Sequence, residues 1–146
     1  MKAVLRDVGI AFASLLGAAI SVHAAQVGNL PRERVAGVAS FISGGVSDGE
    51  AERFQAAFKQ YPLIVELYEH SGVRDEYTAD AQVRIADRKG TTVLEQHADG
   101  PFMLVRLPAG DYTVTASLHG QSLPAHEVHV TDSGHAHSVF VFPTQG

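Results

Sequence analysis

Four of the eight histidines in this 146-residue chain crowd into residues 126–137: His126, His129, His135 and His137. Imidazole is a good ligand for zinc and copper. Alternate residues of a strand share a face, so His135 and His137 can point the same way. Glu127 and His129 share a face by the same rule, whereas His126 and His129 point to opposite sides of a regular strand. If two strands pair across Asp132-Ser133-Gly134, then His129, His135 and His137, with Glu127 beside them, form a site that would take Zn or Cu. The competing account is that these are exposed polar side chains at strand ends and turns. The chain has no Cys, which excludes thiolate ligands and disulfides, and it has no His-Glu-x-x-His helix.

A second motif is Gly45-Val46-Ser47-Asp48-Gly49, which matches the G-x-S-x-G nucleophile elbow. That elbow needs a large parallel sheet around it, and the downstream residues read as short strands. A helix cap explains the same letters. Ser47 with Glu50 three residues on forms a capping box, and Asp48, Glu50 and Glu52 suit the positive end of a helix dipole. Ala51, Phe54, Ala57 and Phe58 then make one apolar face, and Tyr61-Pro62 ends the helix. No nucleophile–base set or carboxylate pair has catalytic spacing, so an enzyme is not expected. Glu66, Glu69, Asp75, Glu76 and Asp80 lack EF-hand spacing and read as solvated. Tyr61, Tyr68, Tyr77, Tyr112 and Phe102 could line a carbohydrate platform, although no Trp supports the stacking. Tyr112 is better read as a corner residue whose hydroxyl bonds back to backbone.

The elements that must position these residues are strands. Asp99-Gly100-Pro101 is a turn, residues 102–107 an apolar strand, and Pro108-Ala109-Gly110-Asp111 a second turn. Residues 112–116 alternate in the two-residue period of a strand. The spacing predicts a hairpin closed by the Leu107-Pro108-x-Gly110-x-Tyr112 corner. Further strands are predicted at 63–68, 81–87, 91–96, 122–131 and 138–142, with 71–76 a polar loop and 88–90 a hairpin turn. Phe41-Ile42 reads as a short strand or an anchor. Seven short strands with frequent turns indicate an antiparallel sandwich.

The N-terminus has the three parts of a secretory signal. Lys2 and Arg6 are basic, residues 8–22 are apolar, and Val22-His23-Ala24 is a small-residue cleavage site. The apolar run is shorter than the roughly 20 residues that span a bilayer. Residues 1–24 are therefore expected to be a signal peptide, 25–40 a flexible leader, and 41–146 one domain, with no membrane span after cleavage. The net charge of −5 leaves little to neutralise phosphates, so nucleic acid is not an expected partner.

The runs Ala79 through Gly90, Asp99-Gly100-Pro101 and Leu107-Pro108-Ala109-Gly110-Asp111-Tyr112-Thr113-Val114, with a final strand ending near Phe140, resemble a carboxypeptidase-regulatory-like domain. Ser43-Gly44-Gly45-Val46 and the helix after it resemble small secreted proteobacterial proteins of that type. The resemblance covers roughly residues 41–142. It implies a prealbumin-like (transthyretin-like) β-sandwich and no catalytic residues. Some related modules cross-link a Lys to an Asn; here the only Asn is Asn29, in the leader. The expected protein is mainly β (α+β): a seven-stranded antiparallel prealbumin-like sandwich preceded by one short amphipathic helix. Its expected role is a periplasmic or secreted, non-catalytic binding or structural module with an envelope protein or glycan as partner. The alternative is a periplasmic Zn or Cu protein using the C-terminal histidines.

Overall fold

The computed structural model of the chain describes residues 29–144. The expected signal peptide lies outside the described residues. The protein is mainly β, with eleven strands and one α-helix among the described residues. Strands β1 (Arg34–Ala36), β2 (Ala39–Gly44), β7 (Phe102–Arg106), β3 (Leu63–Ser71) and β11 (Ala136–Phe142) form the first sheet in that order, and β4 (Arg74–Tyr77) extends it beside β3. The second sheet runs β10 (His126–Val130), β8 (Gly110–Leu118), β5 (Gln82–Asp87), β6 (Thr92–His97), with β9 (Gln121–Ser122) beside β8.

Strand alternation sends one set of side chains from each sheet into a shared core. Phe41, Leu63, Val65, Leu67, Met103, Val105, Phe140 and Phe142 come from the first sheet, and Val83, Ile85, Leu94, Val114, Ala116 and Val130 from the second. The opposite parity of the first sheet exposes Ile42, Ile64, Phe102 and Leu104 on its outer face. Helix α1 (Asp48–Ala57) covers them with Ala51, Phe54 and Ala57. Phe54 stacks on Phe102 with ring centroids 5.9 Å apart. The backbone N–H of Glu50 donates to Ser47 Oγ at 3.3 Å, so Ser47 caps the helix as its spacing predicted. Gly45 has φ +98, and a Cβ there would meet the Phe102 ring; the diglycine is what lets the chain turn from β2 into the helix over that ring.

The seven predicted strands have counterparts in β3, β5, β6, β7, β8, β10 and β11. Four more exist. β4 forms within the stretch read as a polar loop, because Gly72 (φ +63) turns the chain and sets Tyr77 opposite Tyr68. β9 is separated from β10 by Leu123-Pro124-Ala125, which breaks the strand expected over 122–131. β1 and the start of β2 lie in the expected leader. There Gly37 (φ +58) closes a hairpin that pairs Ala36 with Ala39. Arg34 bonds Asp99 at 2.6 Å, and Glu33 accepts from Arg106 at 3.0 Å and from Ser40 at 2.6 Å.

Two pairing expectations are corrected. The sheets are not wholly antiparallel, since β11 runs parallel to β3 over seven residues. The β7–β8 hairpin does not form: β7 pairs with β2 and β3, and β8 with β5, β9 and β10. Val105 and Val114 both face the core from opposite sheets, so Pro108 and its neighbours carry the chain from one sheet to the other. Tyr112 Oη donates to the Pro108 carbonyl at 2.7 Å and ties that corner.

Candidate functional site

On the outer face of the first sheet, β3 changes partner. Leu63 through Glu66 pair with β7, and Tyr68 onward pairs with β4. Helix α1 covers this face over Ile64. Past it, Glu66 and Tyr68 of β3, Tyr77 of β4 and His137 of β11 continue the same face. Glu66 is the one charged residue in the run Leu63-Ile64-Val65-Glu66-Leu67-Tyr68. Its side chain keeps only 13% of its exposure.

The contacts around Glu66 close into a circuit. Tyr68 Oη donates to Glu66 Oε1 at 2.9 Å, and His137 Nδ1 lies 3.2 Å from Glu66 Oε2. From His137 the circuit runs through rings: His137 to Phe58 with centroids 5.2 Å apart, Phe58 to Phe102 at 5.6 Å, Phe102 to Tyr77 at 5.1 Å, and Tyr77 back to Tyr68 at 5.2 Å. Three of these four ring pairs are edge-to-face, which suits the ring quadrupoles. Gln55 Nε2 of the helix donates to Tyr77 Oη at 3.0 Å. Phe102 is fully buried and forms the floor, while Tyr77 is 46% exposed. Burial, and then the Glu66 carboxylate beside it, push the Tyr68 phenol above its ordinary pKa.

The structure does not bring the predicted metal-site histidines together. β10 and β11 do not pair across Asp132-Ser133-Gly134; they belong to different sheets. His129 lies on the outer face of the second sheet, where its Nδ1 is 2.6 Å from Asp111 Oδ1. Glu127 is on that same face, opposite Thr113. His137 lies on the outer face of the first sheet with Glu66. His135 sits just before β11, and its Nδ1 donates to the Tyr61 carbonyl at 3.0 Å. His126 stacks on Phe140 at 4.1 Å and meets Ser138 Oγ at 2.7 Å, so it joins the two sheets at their rim. Among the described residues no group of three His, Cys, Asp or Glu side chains is placed to hold a metal ion.

Of the aromatic residues read as a platform, Tyr68, Tyr77 and Phe102 do meet. Tyr61 is elsewhere, buried under the Arg106 guanidinium at 4.2 Å, and Tyr112 is the corner. Phe58 and His137 complete the circuit. Phe58 was legible as part of the helix face; the pairing of His137 with Glu66 depends on the parallel β3–β11 register.

An open cleft of about 400 Å³ also lies over the second sheet, lined by Arg88, Asp111, Thr113, Glu127 and His129 among others. Asp111 pairs there with His129 and, at 3.9 Å, with Arg88. The His129 hydrogen bond, with the charges of His129 and Arg88, holds the Asp111 carboxyl below its ordinary pKa. The cleft's one phenol, Tyr112, has its hydroxyl engaged by Pro108.

No helix among the described residues is long and apolar enough to cross a membrane. The chain matches no family model and no curated protein sequence.

Proposed function

We propose that this chain is a secreted or periplasmic, non-catalytic binding module of prealbumin-like type, which presents the outer face of its first sheet to an envelope protein or glycan. The observation that carries the reading is the circuit around Glu66. A sheet face built only for the core would be covered by the helix along its length. Here the cover stops at Phe58, and aromatic and polar side chains continue beyond it. Tyr77, His137 and the exposed Val139 lie within reach of a partner. Aromatic surface with a few fixed polar groups is the composition of recognition sites. The secreted location rests on the basic, apolar and small-residue order of residues 1–24.

The test is a photo-cross-linking residue placed at Val139, with a second one at Glu95 on the other sheet as control. The expected result is one adduct from Val139, identified by mass spectrometry, whose purified partner or glycan binds the protein and loses affinity when Tyr77→Ala is introduced. Adducts from Glu95 in equal yield, or none from Val139, would overturn the reading.

A further inference from the structure

We propose that the Glu66 site receives a primary ammonium group, the end of a lysine side chain on a protein partner. This rests on the reading that the outer face of the first sheet is the contact surface.

The argument starts from charge. Glu66 is a mostly covered carboxylate, and among the described residues its one ion-pair partner is His137, which carries charge only when protonated. Among the described residues no Lys or Arg pairs with it. This covered carboxylate accepts a hydrogen bond from the Tyr68 hydroxyl at Oε1 and keeps lone pairs on both oxygens for a further donor. The half-exposed Tyr77 ring offers an electron-rich face to a cation or its stem. Tyr68, Tyr77, Phe58 and His137 therefore surround a site that favours a positive group over a neutral one.

The form of the cation follows from how Glu66 is already bonded. Tyr68 donates to Oε1, the His137 ring stands 3.2 Å from Oε2, and only 13% of the side chain is left exposed. A guanidinium fork needs both oxygens open in one plane for its two parallel bonds, which so covered a carboxylate does not offer. A primary ammonium needs a single lone pair, and its methylene stem can lie on the Tyr77 ring. A quaternary ammonium has no N–H and would leave the carboxylate unanswered. Tyr77 and Val139 are exposed beside the site, which suits a side chain that arrives on another protein.

The experiment is a nuclear magnetic resonance titration of the full chain with three probes at constant ionic strength: N-acetyl-lysine methylamide, N-acetyl-arginine methylamide and tetramethylammonium chloride. The expected result is saturable shifts at Glu66, Tyr68, Tyr77 and His137 with the lysine probe. Its affinity should exceed that of the other two, and fall by about tenfold in Glu66→Gln, whose spectrum elsewhere reports that the fold is kept. Tyr77→Ala should weaken binding as well without touching the carboxylate. Equal or tighter binding of tetramethylammonium, which would point to a lipid-type headgroup, overturns the proposal. So does binding that survives Glu66→Gln, or no saturable shift with any probe. If the Val139 cross-link persists while the lysine probe fails, the ligand class alone is wrong; if both fail, the binding face is wrong too.

Discussion

Glu66 and His137 meet at 3.2 Å because β11 runs parallel to β3, in a register that sets Val139 opposite Glu66 and leaves His137 diagonal to it on the same face. A one-residue slip of β11 would turn His137 into the core and Ser138 out. The pairing is thus a product of sheet register, and its effects are testable through the tyrosine that shares the carboxylate.

Burial comes first among the causes that raise the Tyr68 phenol, and Glu66 adds a hydrogen bond to the neutral form and a repelling charge. Tyr61 and Tyr112 are raised as well, both mainly by burial. A folded-state pKa above the unfolded value, about 10, gives stability that is fully present below pH 10 and is lost as the pH rises through the folded pKa. The protein is therefore expected to lose stability only on the alkaline side of pH 10 through these groups. In a tyrosinate absorbance titration, Glu66→Gln should bring one tyrosine back toward 10, with burial and the neighbouring Tyr77 still raising it. An unchanged titration curve in that variant would show that Glu66 does not act on Tyr68.

Asp111 carries the opposite sign. The hydrogen bond from His129 lowers its carboxyl pKa. Stability from this pair is present above the unfolded carboxylate value, about 3.9, and is lost as the pH falls through the folded pKa. Both partners are exposed, so the effect should be small and should shrink in salt. His129→Ala should lose less stability than the wild type between pH 5 and pH 2, read from urea midpoints at low ionic strength. Equal losses in the two proteins would remove the pair from the acid response.

The helix, its cap, the seven main strands and the Tyr112 corner were all legible, because each is written in local spacing: a capping box, a 3.6-residue face, a two-residue alternation, a Pro-x-Gly turn. Pairing was not. Alternation tells which side chains share a face, and leaves open which strand lies beside it. So residues 102–107 and 112–116 looked like a hairpin, although they belong to different sheets. The same gap separated His129 from His137, whose spacing would serve a metal only if β10 and β11 were neighbours in one sheet. Glu66 left a usable signal, a lone charge in an apolar strand. Of its ring partners, Tyr77 and Phe102 were grouped with Tyr68 as a platform, but their place around Glu66, with Phe58 and His137, depends on the fold.

The helix holds the floor of the candidate site through Phe54. That side chain is fully buried against Phe102, Ile42 and Ile64, so Phe54→Ala should cost about 3–5 kcal/mol. Ser47→Ala removes only the cap and should cost about 0.5–2 kcal/mol. Thermal or denaturant unfolding checks both. A cost for Phe54→Ala no larger than that for Ser47→Ala would mean that the helix is not docked as described.

The corner at Tyr112 is a narrower case, since a single hydroxyl is in question. The ring packs in the core between the sheets, and only Oη reaches out, to the Pro108 carbonyl at 2.7 Å. Tyr112→Phe keeps the ring and deletes that bond, for an expected loss of about 0.5–1.5 kcal/mol. Tyr112→Ala deletes the packing too, and should cost about 3–5 kcal/mol, the range of a large buried side chain. The difference between the two variants separates the corner bond from the core. Pro108 also fixes where β7 ends and β8 begins, so hydrogen exchange at residues 108–112 should quicken in Tyr112→Phe while β3 and β11 keep their protection. Quickened exchange spread evenly through both sheets would mean that the hydroxyl supports the whole sandwich rather than this one crossing.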